Sequence, residues 1–373
     1  MSDSLPARPL LNRALRRLWR DHETVQLGIE PRHAVVLRGL TRADERVLDL
    51  LDGTRSVETI VEAAAGAGVD ELSARRLLHA LVRAHALDDG AVQPRGNERE
   101  RQRLAPDAFA LALVDRRVGV AAQALADRAA ATVAVHGVGR VGSTVVALLA
   151  AAGVGRVTCH DPRPVCAADL APAGAVEPSA TSRADDAVLR GTQRYGADRV
   201  VAATGPAPTP TQSPTLAIVA PTGSVPAPEV MTTVRDVPHL LVQVRETSAF
   251  IGPLVVPGQT ACWRCVQVAR SDRDPAWPAI AAQLTGSAPA LEPADVALCS
   301  LAGSLAVAHA TAWLDRASVA RPGGVPSIEG IVEFDLVDLR LRRRSLRPHP
   351  DCGCGAADVQ APSLLPSAQD RPA

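Results

Sequence analysis

Residues 131–163, ATVAVHGVGRVGSTVVALLAAAGVGRVTCHDPR, decide the fold of this chain. A short apolar strand around Val133 runs directly into Gly-Val-Gly-Arg-Val-Gly, and an Ala- and Leu-rich helix follows this turn. Glycines end the helix, a second strand follows, and Asp161 closes that strand. Strand, glycine turn, helix, strand and acid, in this order and spacing, predict a nucleotide-binding βαβ unit.

Glycine is favoured for a different physical reason at each of three positions in this turn, Gly137, Gly139 and Gly142. The first permits a tight turn out of the strand, the second lets a phosphate approach the backbone, and the third lets the helix pack close to the sheet. Free N–H groups at the helix N-terminus face an anion there, and the Asp161 carboxylate can accept hydrogen bonds from ribose hydroxyls. The alternative is that the glycines only pack the helix on the strand and that nothing binds.

Composition excludes several classes of function. The length of 373 residues favours two domains over one. The formal net charge is zero, so no bulk charge argues for nucleic acid or an anionic membrane as partner. The chain contains no lysine, which excludes Schiff-base chemistry and a phosphate-gripping lysine. We see no signal peptide and no run of about 20 apolar residues, so we predict a cytoplasmic protein that does not contact a membrane.

Residues 1–92 predict a small domain of their own. The apolar residues of the first 20 positions recur at helical spacing, which predicts a surface helix. Two paired strands, three helices and a closing strand then follow: strands at 24–29 and 34–37, helices capped by Thr41, Ser56 and Asp70, and a strand after Asp89. This order predicts an N-terminal winged helix.

The stretch IEPRHAVVLRGLTRADERVLDLLDGTRSVETIVEAA, residues 29–64, resembles the PqqD-type domain, the leader-peptide recognition element of RiPP biosynthesis. The resemblance implies that a peptide binds by adding a strand to the edge of the sheet. Two alternatives stay open, a purely structural domain and a DNA-binding winged helix. The third predicted helix carries Arg75, Arg76 and Arg83, but nearby acidic residues balance them.

Residues 93–106 are charged and are interrupted by proline and glycine, so we predict a linker. Residues 107–354 predict an α/β domain that begins with an edge strand at 108–114 and ends with a hairpin near 332–341. Strands and helices alternate between these limits, which predicts a Rossmann-like, doubly wound sheet. Residues 355–373 predict a disordered tail.

Four of the seven cysteines lie in two close pairs. In a cytoplasmic protein such pairs favour a metal site over disulfides. Four thiolates fit a tetrahedral structural zinc, and a redox-active disulfide is the alternative. The predicted zinc ligands are Cys262 and Cys265 in a CxxC motif and Cys352 and Cys354 in a CxC motif. We expect the other three to be small buried hydrophobic side chains: Cys159, Cys166 and Cys299.

The glycine-rich βαβ unit, the sequence GPLVVPG at 252–258 before the CxxC, and the late cysteine pair resemble the ThiF/MoeB/ubiquitin-activating superfamily. With the PqqD-like front domain, the chain is most similar to actinobacterial ThiF-type proteins that bind precursor leader peptides in azoline-forming (TOMM) pathways. For active members of the superfamily, the resemblance implies adenylation of a C-terminal carboxylate with ATP and Mg²⁺. It also implies a homodimer.

The sequence departs from the pattern of active members, which is GxGGxG, then DxDxVxxSNLxRQ, a lysine and an Asp-Asn pair. Arg140 replaces the middle glycine, Arg163 replaces the second acid, and Asp169 stands at the asparagine. Thr204-Gly205 replaces the Asp-Asn pair that holds Mg²⁺. The two arginines could neutralise phosphate charge or could fill the site. The predicted nucleotide site comprises Gly137, Gly139, Arg140, Gly142, Asp161 and Arg163.

Two hypotheses follow, and the sequence leaves catalytic activity and ATP binding open. The first is a catalytically degenerate ThiF-like scaffold that binds a peptide or small protein for a partner enzyme, which the resemblance implies is a YcaO-type cyclodehydratase. The second is an active ATP-dependent adenylyltransferase that acts on a peptide or protein carboxylate. A nicotinamide-dependent redox enzyme is weaker, because no hydride-transfer site is recognisable.

Overall fold

The computed structural model describes residues 4–92, 96–196, 198–203, 213–286, 293–321 and 323–357. The chain divides into one compact unit of residues 1–127 and 315–321 and another of residues 128–314 and 322–373. These limits differ from the predicted domain limits, which stay a prediction. The predicted tail lies outside the described residues from 358 onwards.

The first unit begins with short strands where a helix was predicted. β1 (Pro9–Leu11) pairs antiparallel with β5 (Leu87–Asp89), and β2 (Arg17–Trp19), β3 (Val25–Leu27) and β4 (Val35–Leu37) form an antiparallel sheet in that order. The helix prediction is wrong because backbone pairing with partners elsewhere in the chain satisfies the N–H and C=O groups of this segment. The paired strands β3 and β4 confirm the predicted hairpin.

Three helices complete the core of this unit: α1 (Arg42–Leu50), α2 (Val57–Gly66) and α3 (Glu71–Arg83). The predicted caps are confirmed, since the side chains of Thr41, Ser56 and Asp70 each accept a hydrogen bond from the backbone N–H three residues later. The closing strand pairs with β1 and not with the hairpin. The winged-helix assignment therefore stays a prediction.

Two further helices follow, α4 (Glu98–Val114) and α5 (Val120–Ala130). The edge strand predicted at 108–114 is wrong, because these residues continue α4. Asn97 caps that helix by accepting from the N–H of Glu100, and Leu104 and Leu111 are buried seven residues apart on one face.

The second unit is built on a sheet that has eight strands among the described residues. Its order is β10-β7-β6-β11-β12-β13-β14-β15. Neighbouring strands are parallel from β10 to β12 and antiparallel from β12 to β15. The strands are β6 (Thr132–His136), β7 (Arg156–His160), β10 (Val200–Ala202), β11 (Leu216–Val219), β12 (His239–Arg245), β13 (Ser248–Val255), β14 (Gly330–Asp335) and β15 (Arg340–Ser345); β8 (Pro164–Val165) and β9 (Ser179–Ser182) pair separately.

Helices cover this sheet, as a Rossmann-like fold requires. The largest apolar core joins the sheet to three of them, α6 (Arg140–Ala151), α7 (Arg183–Tyr195) and α11 (Val296–Leu314). The described part of this unit also contains α8 (Pro228–Thr233), α9 (Trp263–Arg273) and α10 (Trp277–Gly286). The segment 296–317 is long and apolar enough to cross a membrane by length and composition alone. Half of its most apolar 18-residue stretch is buried inside the protein. Because α11 also packs on α6, β12 and β13, it is a core helix.

Candidate functional site

The glycine turn between β6 and α6 has the geometry that its sequence predicts. Gly137 has φ +92°, and a Cβ there would lie 2.1 Å from the carbonyl oxygen of Ala220. A Cβ at Gly142 would lie 1.8 Å from the carbonyl oxygen of Gly137. Both positions therefore exclude side chains for reasons of packing alone. Gly139 is the N-cap of α6, and a Cβ there would lie 3.0 Å from Thr222 Oγ1.

Asp161, the predicted ribose ligand, is already paired inside the protein. It follows β7 directly and is buried. Arg163 donates from Nε to Oδ1 and from Nη2 to Oδ2, both over 2.9 Å. The N–H of Val138, within the glycine turn, donates to Oδ2 over 2.9 Å. The carboxylate thus ties the turn to an arginine of its own strand end.

A second arginine, which the sequence analysis did not single out, completes a network of four charged side chains. Arg183 is the first residue of α7 and is buried. Its Nε donates to Asp169 Oδ2 over 2.7 Å, and its Nη1 lies 3.6 Å from Asp161 Oδ2. Arg163 and Arg183 also both donate to Thr222 Oγ1, over 2.9 and 3.3 Å. We call Asp161, Arg163, Asp169 and Arg183 the ion-pair network.

The electrostatics of this network favour its charged form. Burial raises the pKa of Asp161, but the hydrogen bonds from Arg163 and Val138 and the charge of Arg183 outweigh it, so the pKa lies below its usual value. Burial lowers the pKa of Arg183, and the interactions with Asp169 and Asp161 outweigh it, so the pKa is raised. Two carboxylates face two guanidinium groups, and the network has no net charge to offer a phosphate.

Arg140 uses its guanidinium group on backbone oxygens. Its Nε donates to the carbonyl oxygen of Ala168 over 2.5 Å, and its Nη1 donates to that of Ala294 over 2.8 Å. These bonds fix the segment before Asp169 and the segment before α11 to the start of α6. The other substituted position of the predicted site, Thr204-Gly205, lies outside the described residues.

The three remaining cysteines divide into two kinds. Cys159 and Cys299 are buried, as predicted, and burial raises the pKa of Cys159 to about 12 and of Cys299 to about 11. Neither thiol is a nucleophile at neutral pH. Cys166 is exposed, so its prediction as a buried side chain is wrong. Its N–H donates to Asp169, which places it in the turn beside the ion-pair network.

The four cysteines of the predicted zinc site converge in the second unit. Their sulfur atoms all lie within 4.8 Å of one another. The Sγ–Sγ distances are 3.8 Å for Cys262–Cys265, 3.5 Å for Cys262–Cys352 and 3.7 Å for Cys265–Cys354. Zinc–sulfur bonds of about 2.3 Å at tetrahedral angles place sulfur atoms about 3.8 Å apart. The cluster therefore fits a tetrahedral metal such as zinc.

Local backbone structure explains why both cysteine spacings fit one site. Cys262 is the N-cap of α9 and Cys265 lies in its first turn, so both sulfur atoms are on the same side of the helix start. Gly353 takes the left-handed conformation with φ +68°, which turns the chain between Cys352 and Cys354. The N–H of His349 donates to Cys265 Sγ over 3.4 Å.

Solved structures of known proteins have a fold similar to that of this chain. No family model and no curated protein matches the chain. Escherichia coli MccB solved with ATP is similar at 15% identity and a TM-score of 0.65, over 93% of this chain and 99% of MccB. MccB solved with AMPCPP and MccA gives 14% identity and a TM-score of 0.66 over the same shares.

The heterocyclase TruD gives 18% identity and a TM-score of 0.59, over 94% of this chain and 43% of TruD. MccB is a biosynthetic enzyme of microcin C7. At these identities the similarity shows the fold alone, and this fold agrees with the Rossmann-like α/β sheet predicted from the sequence.

Proposed function

We propose that this chain is a catalytically degenerate ThiF-like scaffold that binds a peptide and presents it to a separate modifying enzyme. The observation that carries the proposal is the ion-pair network at the glycine turn. A working adenylation site needs a carboxylate for the ribose and cations that face developing phosphate charge. Here the carboxylate of Asp161 and the cations of Arg163 and Arg183 are engaged with one another.

Opening this network for a nucleotide is costly. Arg183 and Asp169 are both buried, and breaking a buried pair by removing one partner typically costs about 3–5 kcal/mol. An arginine locked to Asp169 cannot reach a phosphate without that loss.

The first unit supplies a surface for the peptide. β4 has one strand neighbour, β3, among the described residues, so its other edge presents unpaired N–H and C=O groups. None of Val35, Val36 and Leu37 is buried. Arg116 donates to the carbonyl oxygens of His33 and Ala84, over 2.9 and 3.4 Å, and so ties the residues before β4 to the end of α3. We propose that a peptide adds to β4 as a further strand, in the PqqD manner.

The proposal also covers the metal, the partner enzyme, the oligomeric state and the compartment. The cysteine cluster holds a structural zinc that joins the start of α9 to the C-terminal segment. The partner enzyme is of the YcaO cyclodehydratase type, the chain forms a homodimer, and it works in the cytoplasm without nucleic acid or a membrane. Two proteins of similar fold support peptide binding: MccB has been solved with the peptide MccA, and TruD is a heterocyclase.

One observation favours the alternative, an active ATP-dependent adenylyltransferase. The side chain of Arg163 is 49% exposed, so it can swing into solvent and free one side of Asp161. MccB with the same fold has been solved with ATP. Under this reading Gly137, Gly139 and Gly142 receive the phosphates after Arg163 has moved.

ATP–pyrophosphate exchange separates the two functions. The full-length protein is incubated with ATP, Mg²⁺, labelled pyrophosphate and candidate precursor peptides, and MccB with MccA is run beside it. We expect label in ATP for MccB alone, and direct binding of the precursor peptide to this chain in a parallel titration. Peptide-dependent exchange by this chain at a rate near that of MccB rules out the scaffold.

A further inference from the structure

Three hydrogen-bond donor side chains of the second unit converge without a carboxylate partner. They are Arg245 at the end of β12 and Gln267 and Arg270 on α9, and we call them the donor cluster. Trp277, the first residue of α10, contacts two of them, Gln267 and Arg270. Its indole N–H donates to Gln267 Oε1 over 2.8 Å, and the guanidinium carbon of Arg270 lies 4.7 Å from the centre of its ring.

Gln267 is left with an unused donor. Because its Oε1 accepts from Trp277, its Nε2 is fixed in position, and that atom is buried without a hydrogen-bond partner in the described part of the chain. A buried amide N–H without an acceptor is unfavourable, and native proteins rarely retain one unless water or a ligand satisfies it.

The two arginines also lack a counter-charge. The Arg270 guanidinium makes no hydrogen bond or ion pair with the residues that the structure describes, and it lies over the Trp277 ring. Arg245 donates to two neutral acceptors, the carbonyl oxygen of Ser224 and the Gln243 side chain, and lies 5.0 Å from the centre of the Phe250 ring. The neighbouring Arg344 is different, because its Nε lies 2.6 Å from Glu333 Oε2.

Burial and repulsion from neighbouring arginines both lower the pKa values of Arg245 and Arg270. Burial lowers the pKa of Arg245 to about 10, and repulsion from Arg270 acts in the same direction. Burial also lowers the pKa of Arg270, with repulsion from Arg273 and Arg344 added. Both side chains still carry their charge at neutral pH. Half-buried cations of one sign with aromatic rings beside them form a site that an anion would stabilise.

We propose that Arg245, Gln267 and Arg270 bind a carboxylate group presented by an acidic peptide. The planar guanidinium groups match a carboxylate, which takes parallel hydrogen bonds from such a fork. The neutral amide of Gln267 adds a donor without adding charge, which suits an anion of one charge better than a phosphate of nearly two. The rings of Phe250 and Trp277 offer apolar contact to the stem of a glutamate side chain.

The donor cluster is independent of the proposed scaffold function, since it shares no residue with the ion-pair network, β4 or the cysteine cluster. The test uses the full-length, metal-loaded protein and three probes: acetyl-tetraglutamate amide, acetyl-tetraglutamine amide and inorganic phosphate. The readout is the indole N–H resonance of Trp277, assigned with Trp277→Phe. We expect tetraglutamate to shift this resonance saturably, and tetraglutamine and phosphate to leave it in place.

Matched variants distinguish specific binding at the donor cluster from non-specific attraction of the peptide by nearby positive charge. We expect Arg270→Gln and Gln267→Leu each to weaken tetraglutamate binding about tenfold or more, because each removes a donor to a charged group. Arg273→Gln removes the same charge from an exposed position on the same helix and should change binding less than threefold. Gln267→Leu also removes the acceptor of the Trp277 indole N–H, so circular dichroism verifies its folding. Gln267→Glu keeps that acceptor, replaces the donor with a carboxylate and should abolish tetraglutamate binding, so it tests the site even if Arg270→Gln unfolds.

Three results would overturn the proposal. The first is the absence of a saturable shift with tetraglutamate at millimolar concentration. The second is an equal loss of binding in Arg270→Gln and Arg273→Gln, which would mean that only the general field attracts the peptide. The third is phosphate binding as tight as that of tetraglutamate.

Discussion

The guanidinium group of Arg163 binds the carboxylate of Asp161 through two parallel hydrogen bonds, Nε to Oδ1 and Nη2 to Oδ2, each 2.9 Å long. The backbone N–H of Arg163 adds a third, to Oδ1, over 3.2 Å. A ribose hydroxyl would have to displace a bidentate, charge-assisted contact to reach this carboxylate. In the tripeptide Asp161-Pro162-Arg163, the arginine thus competes with a nucleotide for the carboxylate at the end of β7.

The ion-pair network predicts unequal effects for its two arginines. Arg183→Gln leaves Asp169 and Asp161 buried with less compensation, and we expect a loss of about 3–5 kcal/mol in the free energy of unfolding. Arg163 is half exposed, and its buried partner Asp161 keeps the Val138 N–H and the charge of Arg183, so Arg163→Gln should cost less, about 1–2 kcal/mol. Urea unfolding followed by tryptophan fluorescence measures both. Arg194→Gln, an exposed position on the same helix, is the control and should be neutral. Equal losses in the free energy of unfolding for Arg163→Gln and Arg183→Gln would show that the buried pair Arg183–Asp169 stabilises the protein no more than the half-exposed Arg163 does.

The lowered pKa of Asp161 predicts how its contribution to stability depends on pH. Because the folded-state pKa lies below the unfolded value of about 3.9, the contribution is fully present above about pH 5 and is lost as the pH falls through the folded-state pKa. The difference in unfolding free energy between wild type and Asp161→Asn should therefore be constant from pH 7 to about pH 5 and shrink in stronger acid. Urea titrations at several pH values test this. A difference that grows in acid would mean that the pKa is raised instead.

The βαβ unit and the cysteine cluster could be predicted because their determinants are local in sequence. The glycine spacing fixes the turn before α6, and Cys262 and Cys265 need only one helical turn to meet. The ion-pair network could not be predicted, since Asp169 and Arg183 come together through tertiary folding and no periodicity marks either. The helix expected in the first 20 residues failed for a related reason. Its apolar spacing is helical, but Pro9–Leu11 finds its partner strand at Leu87–Asp89, far along the chain.

The cysteine cluster predicts one zinc ion per chain, which the purified protein should retain through dialysis and show by elemental analysis. Cys352→Ser should remove the metal and lower the melting temperature of the second unit, because the metal joins α9 to the C-terminal segment. Cys166→Ser, at an exposed thiol outside the cluster, is the matched control and should keep a full equivalent of zinc. A protein that contains no metal and is as stable with Cys352→Ser as without it would contradict the zinc assignment.

The sheet edge at β4 predicts where a peptide binds. Val36 on β4 and Trp19 on β2 occupy the two outer strands of the same three-stranded sheet and are 37% and 40% exposed. Val36→Asp places a charge beside the added strand and should weaken binding of a precursor peptide about tenfold, because the new carboxylate loses water when the strand is added. Trp19→Asp makes a similar change at the opposite edge and should leave affinity within a factor of two. Fluorescence anisotropy of a labelled peptide, with circular dichroism to verify folding, decides the matter: if Trp19→Asp is the more damaging variant, the peptide adds to β2, and the assignment of β4 is wrong.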